Sequence, residues 1–149
     1  MDDLFGPKPK LNLFPPKMFE STNQVSSGMT PESVMSKLIQ LEAQAHHNHL
    51  NTNSFAAHMA MGQLYEGIGG FKDGIMENIL GHIAPKRLGD ISIGSIVTTK
   101  DNMQIAGELS EFGRSLEEWA EEQGWCDLEN TAAEVVALGT KIKYLLTLS

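Results

Sequence analysis

The sequence has little of the chemistry that stabilises small secreted domains or binds nucleic acid. It contains a single cysteine, Cys126, so no disulfide can form within the chain, which suits a reducing compartment. Lysine and arginine number 11 against 19 acidic residues, which gives a formal net charge of -8. Because nucleic-acid binders usually carry a basic face, this charge argues against binding to a phosphate backbone. An acidic surface favours cations or basic partner surfaces as ligands.

Long apolar runs are missing as well. No stretch approaches the ~20 apolar residues that span a bilayer, and no N-terminal stretch combines basic residues with a long apolar segment. We therefore expect no membrane association, and a location in the cytoplasm or in a particle assembled there. The length of 149 residues fits one domain whose core needs neither disulfides nor a metal.

Residues 1–29 hold four of the six prolines. Proline removes backbone donors and restricts the residue before it, so we predict an extended arm instead of a helix. A solvated, disordered tail is the alternative interpretation of this composition. The arm also has more large apolar side chains than a free tail usually exposes, and we predict that they bind a groove on a neighbouring subunit. These side chains are Leu4, Phe5, Leu11, Leu13, Phe14 and Phe19.

Residues 30–149 predict four helices. Helix A should begin with Thr30 as its N-cap and Pro31 at the first helical position, and it should break near Asn51. Helix B should run from about Ser54, its N-cap, to Leu80. Its many glycines, at positions 62, 67, 69, 70 and 74, indicate either close helix contacts or a local kink around Gly69 and Gly70.

The segment after Gly81 is rich in glycine and β-branched residues and reads as a long connection. Such a length is what a crossover requires if helices B and C run parallel in a bundle. Helix C should span about Asn102 to Gln123 and stop at Gly124, and helix D should begin with Asp127 as its cap.

Three of these helices show apolar stripes with helical spacing. The stripe residues are Val34, Leu38, Leu41 and Ala45 in helix A, Ile105, Leu109, Phe112, Leu116 and Trp119 in helix C, and Leu128, Ala132, Val135, Gly139, Ile142 and Leu146 in helix D. We therefore predict an all-α fold, a four-helix bundle with one long crossover, preceded by the arm.

Histidines cluster where helix A ends. At 100° per residue His49 lies about 20° off the stripe of helix A and should point inward. His46 should lie near the edge of that stripe, and His47 should face outward. In helix B the methionines at positions 59, 61 and 76 are most simply interpreted as core residues.

Four residues are candidate metal ligands: His49, His58, Asp73 and Glu77. Asp73 and Glu77 are four residues apart, so their carboxylates project from one helical face, as suits iron or another divalent cation. His58 and Asp73 are fifteen residues apart, or ~22 Å in a straight helix, too far for one metal to bridge. A shared site must therefore lie between two subunits whose B helices pair antiparallel about a two-fold axis.

A simpler interpretation needs no metal. An inward histidine is more often a hydrogen-bonded core residue than a ligand, and an acid pair four residues apart is common on a solvated helix. Tyr65 lies seven residues after His58 on nearly the same face and could satisfy its hydrogen-bonding needs. The spacing of the residues leaves both interpretations open.

The order of His49, His58, Asp73 and Glu77 resembles the ligand pattern of the ferritin-like DNA-starvation proteins, or mini-ferritins, whose ferroxidase ligands lie between two subunits. His46 has the mini-ferritin spacing to His58 and is the alternative first ligand. Leu50 departs from that family's usual aromatic residue after the first histidine, and no basic tail for DNA contact is present.

A second resemblance is closer. The segments 49–58, 65–66, 130–134 and 144–146 are similar to a phage-encoded ferritin-like family of unknown function, and the resemblance covers roughly residues 34–149. It implies a ferritin-like bundle. Two functions then stay open. One is a phage virion structural or assembly protein that forms homo-oligomers and docks on neighbouring virion proteins through its arm. The other is a mini-ferritin-like iron-binding protein or ferroxidase. Both place the protein in the virion or the host cytoplasm.

Overall fold

A computed structural model describes residues 28–149, and within that range the chain forms four helices and no strands. The helices are α1 (Pro31–Asn51), α2 (Phe55–Ile83), α3 (Asn102–Gln123) and α4 (Cys126–Leu146). The all-α prediction is confirmed for these residues. The predicted arm, with its six apolar docking residues, lies outside the described residues except for its last two positions, and of these Met29 is partly buried against the core.

Three helix ends lie where the sequence predicts them, because capping groups terminate the backbone ladder there. The Thr30 hydroxyl accepts a hydrogen bond from the Ser33 N–H, and the Ser33 hydroxyl accepts one from the Thr30 N–H. Ser54 likewise accepts from the Ala57 N–H at the start of α2. Gly124 adopts φ 74°, which only glycine takes up readily, and it ends α3.

The predicted start of the last helix is wrong. α4 begins at Cys126, and Trp125 occupies the N-cap position without a side-chain hydrogen bond to the helix. The Asp127 carboxylate, expected to be the cap, instead accepts hydrogen bonds from Asn78 and His82 of α2. A tertiary contact has replaced the local one that the sequence favours.

The apolar stripes meet in one core. Every residue of the three predicted stripes is buried. α1 packs mainly on α2, α3 mainly on α4, and α2 also packs along α4, whereas α2 and α3 barely touch. Within residues 28–149, no helix combines the length and the apolar composition that a membrane crossing would need.

The inward glycines of α2 lie at close helix contacts, and the helix is not interrupted there. The helix continues through Gly69 and Gly70 and extends three residues beyond the predicted end at Leu80. A Cβ atom placed on Gly62 would lie 3.2 Å from the His49 ring, and one on Gly67 would lie 2.5 Å from the Leu138 side chain. A larger residue at either position would require the neighbouring side chain to shift.

The connection between α2 and α3 lies against α1 along the length of that helix. Its polar contacts follow the chain order of α1, from Glu32 with Gly89, through Ser36 with Ser92 and Gln44 with Val97, to Asn48 with Lys100. α3 therefore begins at the end of the bundle where α1 ends and α2 begins. The hydrogen bond from the Gly89 N–H also holds the pKa of the Glu32 carboxyl below its usual value.

Gln44 makes the most buried of these contacts. Its side chain is 2% exposed, and its amide bonds both backbone groups of one residue. Oε1 accepts from the Val97 N–H at 3.0 Å, and Nε2 donates to the Val97 carbonyl at 2.7 Å. Nε2 also donates to Asn48 Oδ1 at 2.9 Å. The buried amide is thus paired on both sides, as buried polar groups generally are.

A second polar contact joins the C-terminal end of α2 to the start of α4. His82 Nε2 donates to Asp127 Oδ1 at 2.9 Å, and Asn78 Nδ2 donates to Asp127 Oδ2 at 2.7 Å. The Trp125 ring stacks on the His82 imidazole with a centroid separation of 4.8 Å. The hydrogen bond from His82, followed by that from Asn78, holds the pKa of Asp127 below its usual value.

The tight crossing of α3 and α4 predicts the effect of enlarging Gly139. A Cβ atom there would lie 2.8 Å from the Ala106 carbonyl oxygen, a backbone atom that cannot move aside. We expect Gly139→Ala to lower the free energy of unfolding by about 1–3 kcal/mol, measured by urea denaturation. Gly107→Ala on α3 is the matched control, since its Cβ meets no atom within 4 Å. That variant should be neutral or gain up to about 1 kcal/mol, and equal losses in both would contradict the packing argument.

The lowered pKa of Asp127 predicts a pH dependence. The unfolded carboxyl titrates near pH 3.9, so stabilisation by the pair is complete above that pH and is lost as the pH falls through the lower folded pKa. Between about pH 5 and pH 2 the wild type should therefore lose more stability than Asp127→Asn, measured by urea denaturation at each pH.

A ¹³C NMR titration of His82→Ala should show the Asp127 pKa moving up towards its usual value. An unchanged pKa would contradict the assignment of His82 as the main cause.

Candidate metal centre

His49 and His58 hold each other in place across the junction of α1 and α2. His49 Nδ1 lies 2.8 Å from the His58 carbonyl oxygen, and His58 Nδ1 lies 2.9 Å from the His49 carbonyl oxygen. Their rings stack with centroids 3.8 Å apart and planes inclined by 23°. The predicted inward direction of His49 matches its position, because its half-buried ring also lies against Gly62 of α2.

This reciprocal pair fixes the tautomer of both rings. A carbonyl oxygen can only accept, so Nδ1 carries the proton in each histidine. In the neutral imidazole Nε2 then holds the lone pair and can bind a cation or accept a hydrogen bond. Metal-ligating histidines commonly have this arrangement, in which the non-ligating ring nitrogen donates to a backbone carbonyl or a carboxylate.

The other two histidines of α1 have exchanged their expected environments. His46 has an exposed side chain, and its ring stacks on Tyr65 with a centroid separation of 4.3 Å. His47, expected to face outward, is half-buried beside the end of the connection. That expectation was wrong because His47 lines a cavity that Thr98 and Lys100 of the connection also line. Tyr65 also does not bond His58, since the His49 carbonyl has that role.

Asp73 and Glu77 lie apart from the histidines. Both are exposed on α2, and neither forms a salt bridge or side-chain hydrogen bond with another described residue. Within residues 28–149, no group of three or more His, Cys, Asp or Glu side chains is arranged to hold a metal ion. One chain therefore brings His49 and His58 together but leaves the two acids separate. A shared site between two subunits stays a prediction.

Two cavities border the histidines. The smaller, of about 190 Å³, is lined by His49, Met59, Gly62, Gln63, Tyr65 and Glu66. The larger, of about 400 Å³, lies between the last turn of α1 and the first turn of α3. Its lining is polar: His47, Asn48, Asn51, Thr52, Thr98, Lys100, Asp101 and Asn102. Neither cavity contains the carboxylates of Asp73 and Glu77.

One face of α2 is exposed along its whole length, and the sequence analysis missed it. Met59, interpreted as a core residue, is 50% exposed, whereas Met61 and Met76 are buried as predicted. At 100° per residue all the exposed positions of α2 except His82 fall within about 100° of one another. They are Phe55, Ala56, Met59, Gln63, Glu66, Gly70, Asp73, Gly74, Glu77 and Gly81, here called the α2 outer face. The sequence feature that could have revealed this exposed face is the regular spacing of its glycines and acids.

Apolar side chains are also exposed where α1 and α4 end and α3 begins. A cavity of about 300 Å³, lined partly by Met103, Leu146 and Ser149, shows that the start of α3 adjoins the end of α4. At this end of the bundle Tyr144 is 62% exposed and Leu148 is 63% exposed. The apolar end is defined by Leu50, Met103, Tyr144 and Leu148.

Comparison with known proteins gives one match. The model of a family of unknown function, DUF5856, matches residues 49–146, a range that includes all four predicted ligands but excludes His46 and the arm. No curated protein and no solved structure matches the chain significantly. The relation to the ferritins and the phage origin stay predictions. Since the match covers more than half of the sequence, the chain belongs to the DUF5856 family of unknown function.

Proposed function

We propose that this chain is a structural or assembly subunit of a phage particle, a ferritin-like helical bundle that binds neighbouring subunits and other virion proteins. The observation that carries the proposal is the apolar end. Leu50, Met103 and Tyr144 come from three different helices and Leu148 follows the last one, yet all four are exposed at one end of the bundle. Exposed apolar groups gathered in this way are typical of a surface that a partner covers.

The composition of the arm supports the same role. Residues 4–19 contain the six apolar residues predicted to dock, together with Lys8, Lys10 and Lys17, and no acidic residue. Residues 28–149 carry 8 basic and 16 acidic residues, so the bundle itself is strongly acidic. Apolar contacts and opposite charge would both favour binding of the arm to a neighbouring bundle.

The ferritin-like part of the proposal rests on the connection. Its contacts with α1 run in the same order along both segments, so the connection returns the chain to the end of the bundle where α2 starts. We infer that α2 and α3 run parallel, as in a ferritin-like bundle with one long crossover. The resemblance of residues 34–149 to a phage-encoded ferritin-like family supports the location in a virion.

Particle incorporation tests this role. In particles purified from host cells that express the tagged chain, Tyr144→Ser combined with Leu148→Ser should reduce incorporation at least about tenfold, since apolar anchors dominate such interfaces. Ile93→Ser is the matched control, because Ile93 is an exposed apolar residue on the connection, away from the apolar end. Deletion of residues 1–28 should likewise abolish incorporation, while circular dichroism shows the bundle still folded. Full incorporation of the double variant or of the deletion would contradict the proposal.

A mini-ferritin-like iron-binding role is the second candidate, and the histidine pair favours it. In the neutral form of each ring Nε2 holds the lone pair, and α2 carries the exposed acids Asp73 and Glu77 about 22 Å and about 28 Å beyond His58 along the helix. Antiparallel pairing of two α2 helices would bring His58 of one copy towards the acids of the other. The ligand set would then be His49, His58, Asp73 and Glu77, with His46 as the alternative first ligand, and one pairing would create two such sites.

Metal analysis tests this second role. Purified full-length protein, loaded with ferrous iron and desalted, should retain iron at a stoichiometric level by mass spectrometry if the site exists. His58→Ala and Glu77→Gln should each lower the iron content at least about tenfold, since loss of a group that only supports a ligand already lowers metal affinity about 10–100-fold. Glu117→Gln, an exposed acid on α3, is the control and should retain the wild-type content. If the wild type binds no iron, or if all three variants behave alike, the metal role fails.

A further inference from the structure

A cavity between α1 and α3 lies where the arm joins the bundle. The cavity has a volume of about 230 Å³. Met29, at the end of the arm, is one of its lining residues and is partly buried against the core, whereas Gly28 before it is exposed. The other lining residues are Lys37, Glu108, Glu111, Phe112 and Ser115. The arm is therefore attached at the edge of this cavity.

The cavity has an acidic side chain to spare beside its apolar residues. Its one basic residue is already paired, since Lys37 Nζ lies 3.4 Å from Glu108 Oε2. Glu108 is also held by Lys100, at 2.9 Å. Glu111 is exposed and forms no salt bridge with another residue of the range 28–149. An apolar segment with a basic side chain would complement this lining.

The acidic character continues along α3 beyond the cavity. At 100° per residue Glu111, Glu118 and Glu122 fall within about 40° of one another, and all three are exposed. Arg114 is the basic residue of α3 and borders this line, but it forms no salt bridge with any described acid. Glu122 lies in the last turn of α3, where the helix dipole disfavours an acid and where no basic residue offsets it. Because α3 ends where α1 begins, these acids lie at the end of the bundle that carries the arm.

The sequence of the arm fits both features. Residues 14–19 contain two phenylalanines, two prolines, Met18 and Lys17, and no acid. Residues 20–27, which join this segment to the bundle, are mostly polar. When extended, these eight residues span up to about 26–29 Å, which is enough to return residues 14–19 to the cavity.

We propose that residues 14–19 of the arm dock in the cavity of their own chain, with their apolar side chains inside it and Lys17 beside the acids of α3. The same chain is favoured over a second copy, because a short flexible tether gives an effective concentration on the order of 1 mM. The inference goes beyond the proposed function, since it gives the arm a binding site on the free subunit. Binding of the arm to a neighbouring subunit then requires its release from that site.

Cross-linking tests the docking in the full-length chain with Cys126→Ser. New thiols are placed by Met18→Cys in the arm and Ser115→Cys in the cavity. A short thiol-to-thiol reagent should join these two within one chain at least about tenfold faster than it joins Met18→Cys to Glu134→Cys, because docking raises the local concentration of one thiol at the other. Glu134 is the matched control, since it is exposed on α4, which does not contact α1 in the described chain.

A mixture of ¹⁵N-labelled and unlabelled chains separates the outcomes by mass spectrometry of the joined peptides. Faster joining to Ser115→Cys within one chain is the expected result. Joining mainly between a labelled and an unlabelled chain would place the arm on a second copy. Equal rates for Ser115→Cys and Glu134→Cys would show that the arm has no preference for the cavity. Either of these two results would overturn the proposal.

Charge reversal tests the assigned face of α3. Glu111→Lys combined with Glu118→Lys should slow the joining of Met18→Cys to Ser115→Cys about threefold or more, since attraction to Lys17 becomes repulsion. Glu117→Lys combined with Glu134→Lys makes the same change in net charge at exposed positions off the acidic line, and it should leave the rate unchanged. Equal slowing by both pairs would contradict the assigned face. None of these measurements involves a particle, so their failure is distinct from failure of the proposed function.

Discussion

The fold of this protein depends on how the connection between α2 and α3 is held against α1. Gln44 is buried in the middle of that contact, and its amide satisfies both backbone groups of Val97, which is otherwise part of an irregular segment. Asn48 fixes the end of the connection through the Lys100 carbonyl and Asn102. These bonds hold the connection against α1 up to the start of α3. Loss of the Gln44 amide would remove both bonds to Val97 and the one to Asn48, and a hydrogen bond of this kind contributes about 0.5–1.5 kcal/mol.

Helix positions could be predicted from the sequence because the signals for them are local. The Thr30 cap, the Gly124 stop and the stripe of α3 act within a few residues, and all three predictions are confirmed. Predictions failed where a distant segment competed with the local signal. Asp127 bonds His82 of another helix instead of capping α4, and His47 lines a cavity with residues of the connection, whose path no local pattern reveals.

Predictions for the candidate site likewise succeeded where they depended on one helix and failed where they depended on contacts beyond it. Helix geometry correctly predicts that His58 and Asp73 cannot meet in one chain, because their separation is a property of α2 alone. The reciprocal bonds between His49 and His58 could not be predicted, since they depend on the angle between α1 and α2 after the turn. Exposure of Met59 was also missed, because its apolar character fits a core position as well as an interface.

Both proposed roles require more than one chain, so self-association is the central claim. The α2 outer face weakens its own helix with glycines at Gly70 and Gly74 and exposes Phe55 to solvent, features that a monomer does not explain. Native mass spectrometry of the purified full-length protein tests this claim most directly. The account predicts dimers, or larger assemblies with an even number of chains. A protein that stays monomeric at every concentration would contradict it.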